Sequence, residues 1–381
     1  MRLEEYISGT FVEQYQYRSF RPAMINHVWE FADPELLALL SDADRAMGEL
    51  NAFSQLVPDV EFFIQMHVAK EATQSSRIEG TQTNIEEAFL EEHDIAQPHK
   101  DDWQEVQNYI AAINSAIKDL ETLPLSNRLL RDTHRTLMQS VRGKDKSPGE
   151  FRTSQNWIGV SLKNAVFVPP HEEEVLDLMG DLEAFLHNDM LHVPQLLKIA
   201  IAHYQFETIH PFLDGNGRLG RLMIALYIAS TGLLAKPALY LSDYFERNKT
   251  QYVDHLMAVR TANQLKPWLI FFLHGVKETA QHSIQVFRTV LDLKERIERE
   301  VLPHFSTRRQ ANAQSLMQLL YQRPAIDVKM VATIMQLNTN TATSLITDFV
   351  KYGILVEVTG HRRNRIFMFR EYLTIFARPR S

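Results

Sequence analysis

The sequence contains 381 residues, 45% of them apolar, with a formal net charge of −7, and this length favours two or three packed units over one small domain. It contains no cysteine, so disulfides, thiolate metal sites and a cysteine nucleophile are all excluded. The most apolar run, Trp268 to Val276, is far shorter than the roughly 20 residues of a membrane helix, and Met1–Tyr6 lacks the layout of a signal peptide. We therefore expect a soluble, cytoplasmic protein that makes no contact with a membrane.

The N-terminal third of the chain is predicted to be helical after an aromatic start. The first 30 residues show no regular period, so we expect an irregular arm packed on the helices after it. Apolar positions at alternating steps of four and three predict a helix from Pro34 to about Leu56. A second helix is predicted from about Val60 to Ser76, and Gly80 is a natural stop after it. Further helical patterns cover residues 83–93, 102–121 and 126–141.

The periodicity changes between residues 157 and 168. Two β-type runs, Trp157–Ser161 and Ala165–Val168, flank Leu162–Asn164 and are closed by Pro169, which predicts a β-hairpin. Helical patterns then return and continue to the end of the middle region. They cover residues 172–187, 194–209, 218–231, 241–262 and 267–300.

The last part of the chain differs in charge. Residues 301–381 carry eleven Lys/Arg and four Asp/Glu, hence +7, whereas residues 1–300 carry −14. This asymmetry suggests a separate basic module. Three short helices are predicted in it: one marked by the apolar residues of 316–320, one over Asp327–Leu337, and one ending at Tyr352.

Two predicted strands, residues 354–358 and 366–369, follow the three helices. The loop between them carries Arg362, Arg363 and Arg365. A helix-turn-helix followed by a basic-tipped hairpin is typical of a winged-helix domain. Because its third helix offers hydroxyls and little positive charge, DNA binding and protein docking both stay open.

The most informative stretch is residues 210–221, which read His-Pro-Phe-Leu-Asp-Gly-Asn-Gly-Arg-Leu-Gly-Arg. Its glycines let backbone N–H groups approach a ligand, and the helix that it opens adds the positive end of a dipole. Arg218 and Arg221 share a helix face and can hold neighbouring phosphates. The carboxylate of Asp214 beside such a nest implies a bridging divalent cation. With His210 in reach as a base, the residues predict a site for a polyphosphate and Mg²⁺.

Other interpretations of this stretch are weaker. Gly215-x-Gly217-x-x-Gly220 fits a dinucleotide fingerprint, but that motif needs a preceding strand, and residues 196–204 have a helical pattern. A metal site formed by His203 and His210 lacks a third ligand apart from Asp214. The sequence contains no P-loop motif.

Residues 210–221 resemble the signature of the Fic family, His-Pro-Phe-x-Asp/Glu-Gly-Asn-Gly-Arg-x-x-Arg, at every fixed position. The resemblance implies a mainly α, Fic-type helical bundle and a protein adenylyltransferase, which transfers AMP from ATP to a Ser, Thr or Tyr hydroxyl. It implies His210 as the general base, Asp214 as the Mg²⁺ ligand, Arg218 beside the departing pyrophosphate and Arg221 beside the γ-phosphate. The full set of phosphate-binding positions that it implies is Gly215, Asn216, Gly217, Arg218, Leu219, Gly220 and Arg221.

A second stretch, Ser75-Ser76-Arg77-Ile78-Glu79-Gly80, resembles the inhibitory motif of the same family, Ser/Thr-x-x-x-Glu-Gly/Asn. The resemblance implies that Glu79 pairs with Arg221 and occupies the place of the γ-phosphate, with Ser75 and Gly80 as the other fixed positions. Carboxylate and phosphate use the same donors of an arginine and exclude each other. The alternative is a solvated helix end without a regulatory role.

The predicted hairpin resembles the family's target-docking flap, whose edge can pair with an extended segment of the target protein. The alternative is a structural hairpin whose aromatic residues pack inward. The flap residues that the resemblance implies are Trp157, Ile158, Gly159, Phe167 and Val168. Tyr244 and Asn248 are candidate contacts for adenine, although a core position and a surface position would explain them equally well.

We therefore expect an N-terminal helical region with the inhibitory motif (1–100), a Fic catalytic core with a β-hairpin flap (101–300) and a winged-helix domain (301–381). The expected partners are ATP with Mg²⁺ and a protein carrying a hydroxyl side chain. A homodimer would match other Fic proteins, and DNA could bind the C-terminal domain. The alternatives are a DNA-binding regulator with a nucleotide-sensing core, and an enzyme that removes AMP or transfers another nucleotide.

Overall fold

The computed structural model of the protein describes residues 1–56, 60–139, 146–361 and 363–377, so Arg362 of the predicted wing lies outside the described residues. The fold is mainly helical with small sheets. Its helices are α1 (Pro34–Leu56), α2 (Val60–Ile78), α3 (Lys100–Asp119), α4 (Asn127–Leu137), α5 (Val175–His187), α6 (Gln195–Ile209), α7 (Asn216–Ser230), α8 (Ser242–Arg247), α9 (Lys249–Ala262), α10 (Leu265–Glu300), α11 (Thr307–Gln322), α12 (Val328–Ile334), α13 (Thr339–Lys351) and α14 (Arg370–Ala377). Its strands are β1 (Gly9–Glu13), β2 (Arg18–Pro22), β3 (Ile158–Gly159), β4 (Ala165–Phe167), β5 (Ala325–Asp327), β6 (Val356–Glu357) and β7 (Ile366–Met368).

Helices α6 and α7 form the centre of the molecule. Every residue of α6 after Gln195 is buried, and most of α7 is buried as well. Helix α7 is also contacted by α2, α3 and α4, while α10 packs along α1 and against α6. The short loop between α6 and α7, residues 210–215, is therefore held between the two most buried elements.

The long helices agree with the periodicity of the sequence. The helices predicted from Pro34 and from Val60 are confirmed as α1 and α2, and the pattern of residues 267–300 is confirmed as α10. In the described ranges, no helix has both the length and the apolar character required to cross a membrane.

The predicted helix over residues 83–93 is wrong. This segment contains short 3₁₀ turns, among them Glu87–Phe89. The carbonyl of Glu87 accepts a hydrogen bond from the indole N–H of Trp103 (3.1 Å), and the carbonyl of Ala88 accepts one from the side chain of Gln107 (2.8 Å). Side chains of α3 thus take acceptors that a helix would have used.

The irregular arm expected at the N-terminus is also wrong, because β1 and β2 form an antiparallel hairpin in which Phe11 lies opposite Phe20. The backbone N–H of Phe20 donates to the carbonyl of Val168 at 2.9 Å. The N-terminal hairpin therefore rests against the base of the predicted flap.

The C-terminal region contains the three predicted helices as α11, α12 and α13, and the two predicted strands as β6 and β7. The sequence did not indicate β5 or α14; β5 completes an antiparallel sheet of order β5-β7-β6. This region packs on α2, where the ring of Phe63 lies 5.8 Å from Tyr321 and that of His67 lies 5.3 Å from Phe376.

Candidate functional site

A cavity of about 570 Å³ lies where the end of α2, the start of α7, helix α9 and the β3–β4 hairpin meet. It collects most of the side chains singled out in the sequence, although they lie up to 142 residues apart along the chain. The predicted residues that line it are Glu79, Gly80, Trp157, Ile158, Phe167, His210, Asp214, Gly215, Asn216, Gly217, Arg218 and Arg221.

His210 ends α6 in a left-handed backbone conformation (φ +51°), and its N–H donates to the carbonyl of Phe206 at 2.9 Å. This turn directs the imidazole, which is partly exposed, into the cavity. Burial, followed by the charge of Arg260, lowers the pKa of His210 to about 4. The imidazole is therefore neutral near pH 7 and can accept a proton.

The loop after His210 is held by Arg152 and Asn156, and the sequence assigned this role to neither residue. The guanidinium of Arg152 donates to the carbonyls of His210 (3.0 Å), Ile209 (3.3 Å) and Pro170 (2.6 Å). The side-chain amide of Asn156 donates to the carbonyls of His210 at 3.0 Å and Phe212 at 2.8 Å. These contacts join segments that are distant along the chain, so the local sequence did not indicate them.

Asn216 closes the loop from inside. Its side chain accepts from the N–H of Phe212 and donates to the carbonyl of the same residue, both at 2.8 Å. The side chain of Asn216 is therefore used within the loop. If Asn216 binds a phosphate, as the sequence predicted, it does so through its backbone N–H. The ring of His134 stacks on Phe212 with centroids 3.8 Å apart, and its Nε2 lies 2.9 Å from the carbonyl of Asp214.

The start of α7 has the form expected of an anion site. Gly215 adopts a left-handed conformation (φ +75°), and a Cβ at this position would lie 2.7 Å from the sulfur of Met138. The first N–H groups of a helix have no acceptor within the helix and carry its positive dipole end. Asp214, which is exposed at this point, accepts from the N–H of Gly215 at 2.6 Å.

Arg218 is 6% exposed and its Nη1 donates to Glu105 at 3.1 Å. Glu105, on α3, is a buried carboxylate that also lines the cavity and was missed in the sequence. The Nε of Arg218 has no hydrogen-bond partner among the described residues. One edge of this guanidinium is thus fixed by Glu105, and the residue also lines the cavity.

Arg221 is held by the end of α2. Its Nε donates to the hydroxyl of Ser75 (2.9 Å), and its Nη2 donates to the carbonyl of Ser75 (2.9 Å) and the carboxylate of Glu79 (2.7 Å). Burial would raise the pKa of Glu79, but the charge of Arg221 and its hydrogen bond lower it below the ordinary value. A Cβ on Gly217 would overlap the Glu79 carboxylate, so this glycine allows the close approach.

Two further contacts fix the end of α2 above the cavity. One turn before Ser75, the carboxylate of Glu71 accepts from the hydroxyls of Tyr109 (3.0 Å) and Ser242 (2.6 Å). The ammonium of Lys249 donates to the carbonyl of Ile78 at 2.5 Å and also lines the cavity. The position of Glu79 therefore depends on α3, α8 and α9 together.

The predicted flap is present as β3 and β4, joined by a 3₁₀ turn at Leu162–Asn164. Some of its residues pack inward, as expected of a structural hairpin, and others are exposed, as expected of a docking flap. Phe167 and Val168 are buried, and the guanidinium carbon of Arg260 lies 4.0 Å from the ring centre of Phe167. Trp157 is 42% exposed, and Val166 is 66% exposed. The hairpin is thus anchored through β4, and its outer edge is open.

Tyr244 and Asn248 do not line the cavity. The ring of Tyr244 is buried 5.0 Å from Phe271, and the side-chain amide of Asn248 donates to the carbonyl of Tyr244 (2.9 Å). The helical pattern predicted over residues 241–262 is present as two helices, α8 and α9, which meet at Asn248. This division turns a different set of side chains to the cavity: Lys249, Tyr252, Val253, Leu256, Met257 and Arg260.

Leu219 and Gly220, the other predicted phosphate-binding positions, do not line the cavity. Leu219 is fully buried in the core, and Gly220 leaves room for Glu207. His203 is saturated by the carbonyl of Gly220 and the hydroxyl of Tyr252, both at 2.9 Å, so it does not join His210 in a metal site. Because the element before the loop is α6, the dinucleotide fingerprint lacks its strand.

Comparison with known families gives two matches along the chain. Residues 124–228 match the Fic/DOC family, and residues 37–118 match the Fic/DOC family N-terminal region. Among curated proteins, the chain is 34% identical over 145 residues to protein adenylyltransferase fic-1 of Caenorhabditis elegans, which covers 38% of this chain and 26% of that protein. It is 30% identical over 132 residues to protein adenylyltransferase Fic of Aedes aegypti, which covers 34% of this chain and 24% of that protein. The chain thus spans about a quarter of the length of these two relatives.

Two solved structures share the fold. A Fic family protein from Desulfovibrio desulfuricans G20 superposes with a TM-score of 0.56 at 19% identity, covering 89% of this chain and 96% of that chain. Fic-1 from C. elegans superposes with a TM-score of 0.50 at 21% identity, covering 67% of this chain and 74% of that chain. At these identities the likeness concerns the fold alone.

Proposed function

The chain belongs to the Fic/DOC family, with the Fic domain at residues 124–228 and the family's N-terminal region at 37–118, and we propose that it is a protein adenylyltransferase. The observation that carries the proposal is the cavity that brings a neutral imidazole, two buried arginines and the first turn of α7 together. The names of its relatives in C. elegans and A. aegypti support the same activity.

In the proposed reaction, the hydroxyl oxygen of a target Ser, Thr or Tyr forms a bond to the α-phosphorus of ATP. The bond from that phosphorus to the β-phosphate oxygen breaks, and pyrophosphate leaves. His210 accepts the hydroxyl proton, since its imidazole is neutral and faces the cavity. Arg152 and Asn156 hold the His210 carbonyl, so they fix the direction of the imidazole.

The phosphates are proposed to lie along the start of α7. Backbone N–H groups of Gly215, Asn216 and Gly217 would surround the α-phosphate, where negative charge grows during transfer. Arg218 would contact the leaving pyrophosphate, and Arg221 would contact the γ-phosphate, because both residues line the cavity.

Asp214 is the proposed ligand for Mg²⁺. Its carboxylate is exposed to the cavity beside the phosphate-binding turn. Mg²⁺ in nucleotide sites is held by one or two carboxylates together with substrate phosphates, so a single carboxylate fits this role. When bound, the ion would neutralise phosphate charge.

We propose that Glu79 inhibits the enzyme. Its contact of 2.7 Å occupies the Arg221 donor that a γ-phosphate needs. A triphosphate that enters while this contact is intact would bind in an unproductive pose. The proposed target segment would lie along the open edge of the hairpin, next to Trp157 and Val166.

Residues 301–381 are proposed to form a winged-helix domain, because α12 and α13 form a helix pair that is followed by β6 and β7, and β5, between α11 and α12, completes their sheet. The boundaries at residues 100 and 300, DNA binding and a homodimer stay predictions. The packing of this region on α2 supports a role in holding the proposed inhibitory helix.

The experiment compares ATP labelled at the α-phosphate with ATP labelled at the γ-phosphate, using the Glu79→Gly variant and candidate target proteins from the same cell. Transfer of AMP places only the α-label on protein. Label from the γ-position would indicate a kinase-type reaction instead, and the absence of both labels, together with a salt-dependent DNA shift, would favour the regulator.

A further inference from the structure

Glu207 is an acidic residue of the cavity that the proposed reaction does not use. It lies three residues before His210 on α6, so both side chains share one helix face, and both line the cavity. The residue is only 6% exposed, and its Oε1 has no hydrogen-bond partner among the described residues. A buried, unpaired carboxylate is costly, which makes its protonation sensitive to nearby charge.

The structure provides space for this carboxyl group next to the proposed γ-phosphate position. A Cβ on Gly220 would overlap Oε1 of Glu207, so the carboxyl lies directly against the backbone of α7. Gly220 precedes Arg221, whose guanidinium is bound to Glu79. Glu79, Glu207 and Arg221 line the same cavity, and the charges of Glu79 and Arg221 both act on the Glu207 carboxyl group.

The charged and titratable groups around Glu207 come from four elements. Arg221 is on α7, Glu79 follows α2, α9 contributes Arg260 and Tyr252, and the loop after α6 contributes His210. Arg260 donates to the backbone carbonyl of Glu207 at 2.9 Å and not to its carboxyl group. The protonation of the carboxyl group therefore depends on the charges of Arg221 and Glu79.

We infer that Glu207 takes up a proton when a phosphate group binds beside Arg221, so that nucleotide binding is linked to pH through this buried carboxyl. The inference rests on the proposed function, because it assumes that the γ-phosphate takes the place of Glu79. It assigns Glu207 a positioning role, since the residue acts on the nucleotide through the charge of Arg221.

The direction of the linkage follows from the charges. Burial raises the pKa of Glu207 to about 7, while Arg221 lowers it and the negative charge of Glu79 raises it. In the Glu79→Gly variant without nucleotide, Arg221 still lowers the pKa of Glu207, but the negative charge of Glu79 no longer raises it. Glu207 therefore loses its proton more readily. A bound phosphate restores the negative charge and favours the protonated form. Affinity is therefore highest at low pH and falls as pH rises between the two pKa values, by about tenfold for each unit that separates them.

The test uses the full chain as Glu79→Gly and as Glu79→Gly with Glu207→Gln, which keeps the shape and removes the titration. Binding of a non-hydrolysable ATP analogue with Mg²⁺ is measured by calorimetry from about pH 6 to about pH 8.5, in buffers of different ionisation enthalpy. The nucleotide titrates equally in both variants, so their difference isolates Glu207. In Glu79→Gly, we expect nucleotide binding to take up a proton and the affinity to fall by about tenfold across this pH range. In the variant that also carries Glu207→Gln, we expect neither this proton uptake nor this fall in affinity.

Equal proton uptake and equal pH dependence in the two variants would overturn the inference while leaving the nucleotide site in place. Absence of binding to either variant at any pH would instead overturn the proposed function, and the inference with it. Should Glu207→Gln fail to fold, Glu207→Asp supplies the second comparison. This variant retains a carboxyl on a shorter side chain, so we expect it to keep proton uptake with a displaced midpoint, and an unchanged midpoint would contradict the role.

Discussion

Replacement of Glu79 should release the proposed enzyme. Glu79→Gly removes the carboxylate that accepts from Arg221 at 2.7 Å, and Glu79→Gln removes its charge while keeping its shape. Residue 79 follows the last residue of α2, so glycine there interrupts no helix. The bonds between Ser75 and Arg221 remain in both variants.

The size of the effect can be worked from this one contact. A hydrogen bond to a charged group contributes about 1.5–3 kcal/mol. The Arg221 side chain is 2% exposed, but that of Glu79 is 42% exposed, which places the contribution near the lower end. Because about 1.4 kcal/mol corresponds to a factor of ten, productive binding of ATP should improve roughly tenfold in Glu79→Gly and by a smaller factor in Glu79→Gln.

The assay is the initial rate of AMP transfer from α-labelled ATP at a subsaturating concentration. Arg77→Ala is the matched control, because this exposed residue lies on the last turn of α2 and carries no role in the proposal. We expect rates in the order Glu79→Gly, Glu79→Gln, then wild type together with Arg77→Ala. Equal rates in wild type and Glu79→Gly would refute self-inhibition by this carboxylate.

Three further outcomes follow from the geometry. Gly220→Ala should lower the free energy of unfolding by about 1 kcal/mol in urea titrations, since its Cβ would displace the carboxyl end of Glu207 and lie 3.0 Å from the ring of Phe206; an unchanged stability would show that both side chains move aside without cost. Arg152→Lys should lower the melting temperature and kcat, because one ammonium cannot serve the carbonyls of His210, Ile209 and Pro170; a variant with normal kcat would exclude the positioning role. In Glu79→Gly, kcat/KM should stay constant as the pH is lowered to about 6, and the midpoint of its loss on the acid side should lie below that pH. The reason is that the pKa of His210 is lowered to about 4, so the base stays neutral until the pH approaches that value. A midpoint near the ordinary histidine pKa would contradict this expectation.

The sequence predicted the part of the site that is local. The stretch from His210 to Arg221 forms a turn and a helix start, and Glu79 ends a helix, so their geometry follows from neighbours along the chain. The pairing of Glu79 with Arg221 was predicted only through the family resemblance. Its distance and its support by Lys249 required the fold.

The supporting residues could not be predicted because isolated polar side chains carry no spacing signal. Arg152 and Asn156 reach the site from the segment before β3, and Glu105 reaches it from α3. Glu207 could have been noticed in the sequence, because it is an acidic residue within a largely apolar stretch. Tyr244 and Asn248 carried no spacing signal for adenine, and the structure places neither of them in the lining of the cavity.

The central claim is that His210 accepts the proton of an incoming hydroxyl while the loop and α7 bind the nucleotide. It is tested most directly by adding His210→Ala to Glu79→Gly, then measuring both the Kd for ATP with Mg²⁺ and the transfer of α-label to protein. We predict a Kd within about twofold of the parent and transfer reduced by about 10²–10⁴-fold, the usual contribution of a general base. Undiminished transfer in the His210→Ala variant would contradict the claim.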